Sequence, residues 1–115
     1  MQHKINSLRT RMKDNSVDLI ALGPGTHMNW LLGFNPYPDE RPCMLLIGKE
    51  KETFLMPSVN EEGIKEKTNI NMISWSDADG PDQALQEALS FTGSPNAKHI
   101  VIDEAMRSHF ALTLI

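Results

Sequence analysis

The sequence predicts an α/β domain built on a mixed five-stranded sheet with helices on both faces. Three observations carry that prediction: short apolar runs alternate with amphipathic stretches, glycine- and proline-containing breaks separate them, and two of the runs are joined by a short charged turn. Alternation of this kind covers a sheet with helices. The charged turn makes a hairpin, so at least one strand runs antiparallel to its neighbours.

Taken in order, Ile5, Leu8 and Met12 recur at spacings of three and four, which predicts a first amphipathic helix closed by Asn15 and Ser16. Val17 to Leu22 is a short apolar run ending at Gly23-Pro24-Gly25, a buried strand followed by a sharp turn. Thr26 is the expected N-cap of a second helix reaching Leu32, with Gly33 where a left-handed C-cap is wanted. The stretch from Phe34 to Pro42 holds Pro36, Pro38 and Pro42, whose fixed φ angles stiffen a loop. Cys43 to Ile47 and Thr53 to Met56 flank the charged turn Gly48 to Glu52 as an antiparallel hairpin.

A third helix starts at Ser58 or Asn60, its acids Glu61 and Glu62 preceding Lys65 as the helix dipole prefers. Asn71 to Trp75 is the fourth strand candidate, followed by the Asp-rich turn Ser76 to Pro81. Pro81 suits the first position of a helix striped by Leu85, Ala88 and Leu89, and Gly93-Ser94-Pro95-Asn96 breaks it. Ile100 to Ile102 form the last strand. From Ala105 onward Met106, Phe110 and Leu114 with Ala111 and Ile115 read as one helical stripe, with Asp103 and Glu104 as its first-turn acids. This stripe has no glycine cap and no polar exit, so a helix cut inside a longer chain is expected there.

Composition bounds the function. A chain of 115 residues with 40% hydrophobic content makes one domain with a core of its own. Eleven basic against fifteen acidic residues give a net charge of −4, and no basic run supplies the footprint of a nucleic-acid binder. The longest apolar runs, such as Leu19 to Leu22 and Met44 to Ile47, are far shorter than the ~20 residues that span a bilayer. Gln2-His3-Lys4 and the amphipathic stretch behind it do not form a secretory signal. With Cys43 the single cysteine, no internal disulfide can form, and a reducing, cytoplasmic setting is expected.

Few side chains announce chemistry. His3, His27, His99 and His109 show no metal-binding spacing, and surface or capping roles are expected of them. Cys43 opens an apolar strand, where a small buried side chain belongs. Asp77, Asp79 and Asp82 are irregularly spaced for a hard cation and read as a solvated turn with a helix cap. Gly23-Pro24-Gly25-Thr26 lacks the lysine of a phosphate-binding loop and reads as a tight strand-to-helix turn. The loop from Asn35 to Arg41 differs in kind, because it sets Tyr37, Asp39, Glu40 and Arg41 on a proline-stiffened segment suited to recognition.

Asn29-Trp30-Leu31-Leu32-Gly33-Phe34, followed by a loop and Glu40-Arg41-Pro42 directly before a strand, resembles the signature of the N-terminal domain of the creatinase and prolidase family. Further matches follow in order: a hairpin leading to Pro57 and an acidic helix, Trp75 with Asp77 and Pro81 ahead of a helix, and Ile102-Asp103 before Ala105-Met106. Trp30 and Leu32 depart from the commonest residues at their positions. The resemblance spans nearly the whole chain and implies a mixed-sheet domain of ribonuclease H-like type.

That resemblance also implies a parent hydrolase, a cytoplasmic, homodimeric metallopeptidase of the Xaa-Pro dipeptidase or aminopeptidase kind acting on proline-containing peptides. Its catalytic pita-bread domain would follow residue 115 and hold two divalent metal ions (Mn, Co or Zn) through two Asp, one His and two Glu. None of these ligands can be placed in this sequence, so no catalytic residue and no metal are expected here. The implied role of the domain is to support dimerisation and to close over the partner subunit's active site. Tyr37, Asp39 and Arg41 would then shape substrate access, Arg41 suiting a substrate carboxylate and Asp39 an amine; alternatively Glu40 and Arg41 pair with neighbours to fix the loop. Two other readings remain open at this level: a creatinase-like or other non-peptidase enzyme with the same first domain, and a stand-alone α/β interaction module.

Overall fold

The apolar runs become strands because each is too short for a stable helix and is bounded by turn residues. In a computed structural model, which describes residues 2–36, 41–103 and 106–114, they are β1 (Leu19–Leu22), β2 (Met44–Ile47), β3 (Glu52–Pro57), β4 (Met72–Trp75) and β5 (Ile100–Ile102). The helices are α1 (Gln2–Asp14), α2 (Thr26–Leu32), α3 (Ser58–Lys65), α4 (Asp82–Phe91) and α5 (Ser108–Leu112). The strands form one sheet in the order β4-β3-β2-β1-β5. β2 runs antiparallel to β1 and β3, while β4 is parallel to β3 and β5 is parallel to β1. Mixed α/β architecture with helices on both faces is therefore what the chain adopts.

Alternation along each strand divides the core. Ile20, Leu22, Leu45, Ile47, Phe54 and Met56 point to one face, where Ile5 and Met12 of α1, Met28 and Leu31 of α2 and Ile64 of α3 cover them. Leu19, Ala21, Met44, Leu46 and Leu55 point to the other, against Leu85 and Ala88 of α4 and Phe110 of α5. Both faces of the central strands are dry, and β2 is buried along its whole length.

Several local expectations are corrected. Thr26 is the first helical residue of α2 and Gly25 its cap, because the Gly25 carbonyl already accepts the first helical bond, from the Asn29 N–H at 3.0 Å, and no side-chain oxygen caps the helix. Pro81 caps α4 from outside, its carbonyl accepting the Leu85 N–H at 2.8 Å. Val17, Cys43 and Asn71 fall just before their strands, and β3 runs from Glu52 through Pro57. The largest difference lies at the last helix, which starts at Ser108 and not at Ala105. Asp103 cannot serve in its first turn, since its carboxyl is buried and turned back onto the Gly23 N–H. Glu104, Ala105 and Ile115 lie outside the described residues. Met106 and Phe110 still share one apolar cluster, as the stripe predicts. Gly33 does close α2 in the left-handed region at φ 83°, its N–H bonded to the Asn29 carbonyl.

Candidate functional site

Strand directions decide where a site can be. With only β2 reversed, the carboxyl ends of β1, β3, β4 and β5 meet the start of β2 at one end of the sheet. In open α/β sheets ligands gather at that end. The turn Gly23 to Gly25, the loop after Phe34, the turn Ser76 to Gly80 and the exit of β5 all converge there.

The proline-containing loop is fastened at both of its described ends. On the α2 side Phe34 packs against the apolar core with the Lys67 ammonium 5.4 Å above its ring. Asn35 next accepts the Gly25 N–H at 3.0 Å, and Pro36 is buried. At the far end the Arg41 guanidinium donates from Nε and a terminal nitrogen to the two carboxylate oxygens of Asp77, at 3.0 and 3.1 Å. Such a parallel fork fixes orientation as well as distance. One residue on, the Pro42 carbonyl accepts the Trp75 indole N–H at 3.0 Å, so the loop's exit is tied to the end of β4 through two successive residues. The guanidinium beside Asp77 holds that carboxyl below its ordinary value.

Of the residues singled out on this loop, Arg41 is placed and the other three, Tyr37, Asp39 and Glu40, lie outside the described residues. Arg41 is half-buried and meets Asp77, a contact that composition and periodicity do not reveal. Asn35, Trp75 and Asp77 are the positions that residue-level reading missed as anchors of the loop; Asn35 stood only as the loop's first residue, and the signal for Trp75 and Asp77 was their place in the family-like order of motifs. The aspartates do not assemble: Asp77 takes Arg41, while Asp79 accepts the Ser76 hydroxyl at 3.1 Å and returns its N–H to the same oxygen. His99 and Asp103 stay apart, His99 sitting 3.0 Å from the Ser16 carbonyl and Asp103 holding Gly23. Among the described residues no three His, Cys, Asp or Glu side chains come together as a metal seat, and no helix is long and apolar enough to cross a membrane. Cys43 is buried.

The fold has counterparts among solved structures. The structure superposes on a proline dipeptidase from Streptococcus pneumoniae with a TM-score of 0.84 at 18% identity, covering 96% of this chain and 82% of that one. For the N-terminal domain of an Xaa-Pro dipeptidase from Lactobacillus brevis the TM-score is 0.83 at 18% identity, with 96% and 84% covered. A dipeptidase from Pyrococcus horikoshii gives 0.84 at 24% identity; 96% of this chain is covered, yet it spans only 30% of that longer protein. Comparison with curated protein sequences finds no match. These likenesses establish the fold. The family follows from the sequence itself, since the creatinase/prolidase N-terminal domain model matches residues 4–114, and with that span the chain belongs to the creatinase/prolidase N-terminal domain family.

Proposed function

We propose that this chain is the non-catalytic first domain of a metal-dependent Xaa-Pro dipeptidase or aminopeptidase, a cytoplasmic homodimer that hydrolyses proline-containing peptides. The observation that carries the reading is the family match over residues 4–114, joined to a longer dipeptidase of which the chain spans 30%. In this reading two divalent ions, Mn, Co or Zn, belong to a catalytic domain corresponding to the part of the longer dipeptidase that this chain does not span.

What this chain contributes is position. Asn35 is tied to Gly25 and, further along, Arg41 and Pro42 are tied to Asp77 and Trp75; in sequence Tyr37, Asp39 and Glu40 lie between these anchors. We assign that segment to substrate access at the partner subunit's active site. Arg41 has a two-fold task in this reading: its fork on Asp77 sets the loop, and its charge favours the carboxylate end of a short peptide.

The gene beyond residue 115 provides the test. A frame encoding two Asp, one His and two Glu in metal-binding order supports the peptidase; replacement of those ligands supports a creatinase-like branch, and a stop codon supports a stand-alone module. Activity supplies a second test: the 115-residue chain incubated with an Xaa-Pro dipeptide and Mn²⁺ is expected to release no proline, and release would move catalysis into this domain.

A further inference from the structure

Arg9 and Lys13 stand four residues apart on α1, so their side chains leave the same face of the helix. Like charges at that spacing repel, and Glu52 offsets only one of them. The Arg9 side chain is 16% exposed; it donates from Nε to the Gly48 carbonyl at 3.1 Å and from one terminal nitrogen to Glu52 at 2.6 Å. A guanidinium carries five N–H donors. The second terminal nitrogen of Arg9 and the Lys13 ammonium take no acceptor among the described residues.

Both side chains line one cavity of about 610 Å³, within the range of about 300–1,000 Å³ that small-molecule sites occupy. Its apolar wall is Met12 and Val17, extended by the carbon stems of Arg9, Lys13 and Lys49. Ser16 adds a hydroxyl. That residue closes α1 in the left-handed region at φ 56°, where glycine is usual, and its hydroxyl has no hydrogen-bond partner among the described residues. The Met12 and Lys13 carbonyls accept the Val17 and Ser16 N–H groups at 2.9 and 3.4 Å, so the last turn of α1 does not leave those acceptors open.

The acids around the cavity are unequal. Asp18 is committed to the Lys98 and His99 N–H groups and to Lys49, and Glu52 to Arg9. Glu50, exposed on the hairpin turn, is the acid of the cavity wall without a partner among the described residues. The cavity lies between α1, the start of β1 and the β2–β3 turn, at the end of the sheet remote from the Arg41 loop. Leu114 packs on the sheet's other face, away from Met12.

We propose that this cavity binds a small organic carboxylate, its head held by Arg9 and Lys13 and its apolar body laid on Met12 and Val17. A planar carboxylate matches the unoccupied end of a guanidinium. An anion placed there also relieves the repulsion between Arg9 and Lys13, which an uncharged ligand of the same shape does not. The assignment is independent of the peptidase reading, since it uses none of the residues of the Arg41 loop.

Titration of the isotope-labelled chain with naphthylacetate, followed by amide chemical shifts, tests the site, with naphthylethanol as the uncharged counterpart and acetate as the head alone. The acid is expected to saturate one site with a Kd on the order of 1 mM. Its shifts should centre on residues 9–18 and 48–51, and it should bind at least about fivefold more tightly than either control. Lys13→Gln is expected to weaken binding by about two- to fivefold and Glu50→Gln to tighten it by a similar factor. Both side chains are exposed, so the fold does not depend on either. Equal affinity for the acid and the alcohol overturns the assignment, as does an absence of saturation. Shifts centred on the groove beside Trp30 or on the Arg41 loop overturn it too, and so do two substitutions that move Kd in the same direction.

Discussion

The Gly23 N–H reaches across 80 positions of sequence to the Asp103 carboxyl, at 3.1 Å from Oδ2. That bond ties the turn after β1 to the exit of β5, the two parallel strands whose carboxyl ends bound the candidate site. Asp103→Ala strands a buried N–H and is expected to lower stability by about 1–3 kcal/mol. Asp103→Asn keeps a carbonyl acceptor in place and is expected to lose less than half as much. Urea denaturation of the two variants checks the order; equal losses would mean that the carboxyl acts through something other than Gly23.

The Arg41–Asp77 fork makes a separate prediction about the loop. Arg41→Ala and Asp77→Ala are each expected to speed proteolysis between residues 36 and 41, and the double variant to be no faster than either single one, because both remove the same clamp. If the full-length protein is the peptidase proposed above, only Arg41→Ala should also raise KM for an Xaa-Pro dipeptide, with kcat little changed. A matching rise in KM for Asp77→Ala would reduce Arg41 to a loop anchor and retire its role toward substrate.

Much of this architecture was legible from spacing alone. Ile5 and Met12, Met44 to Ile47, and Leu85 and Ala88 are apolar at the period of their elements, and each is buried where that period puts it. Boundaries were less legible because they depend on partners distant in sequence. Thr26 looks like a cap until the Gly25 carbonyl accepts the Asn29 N–H and starts the helix one residue earlier. Asp103 looks like a helix-start acid until Gly23 claims it. The same reason hid half of the candidate site: Arg41 stood out on its proline-stiffened loop, but nothing local says that a turn 36 residues later supplies its carboxylate.

A pH dependence arises at the opposite end of the sheet. Asp18 accepts the N–H groups of Lys98 and His99 at 2.9 and 3.1 Å, and its other oxygen lies 3.2 Å from the Lys49 ammonium. Those backbone bonds first, and Lys49 second, bring its pKa from 3.8 down to about 2. A carboxyl depressed on folding stabilises the fold above its unfolded pKa, and that stability fades as pH falls through the folded value. Asp18→Asn should therefore lower Tm at pH 7, with the gap to the unaltered protein closing between about pH 4 and pH 2. A gap that is constant over that range would show that the loss is steric.

Close packing gives the sharpest prediction. Gly48 opens the hairpin turn after β2, its N–H bonded to the Lys51 carbonyl at 2.8 Å, and the space where a Cβ would stand is taken by the Thr92 carbonyl at the end of α4. A Cβ at Gly48 would overlap that backbone oxygen, which cannot rotate away as a flexible side chain would. Thr92 is itself held, its hydroxyl donating to the Ala88 carbonyl at 3.0 Å and its N–H bonded to the same oxygen. Relief must come from moving the hairpin or the last turn of α4, so Gly48→Ala is expected to destabilise by about 1–3 kcal/mol despite adding one methyl group. Gly63, on α3 with open space around its Cβ position, is the control. Gly63→Ala should stabilise by about 0.5–1 kcal/mol through helix propensity. If the two substitutions changed the urea midpoint in the same direction, contact between the hairpin and α4 would not be what requires glycine at position 48.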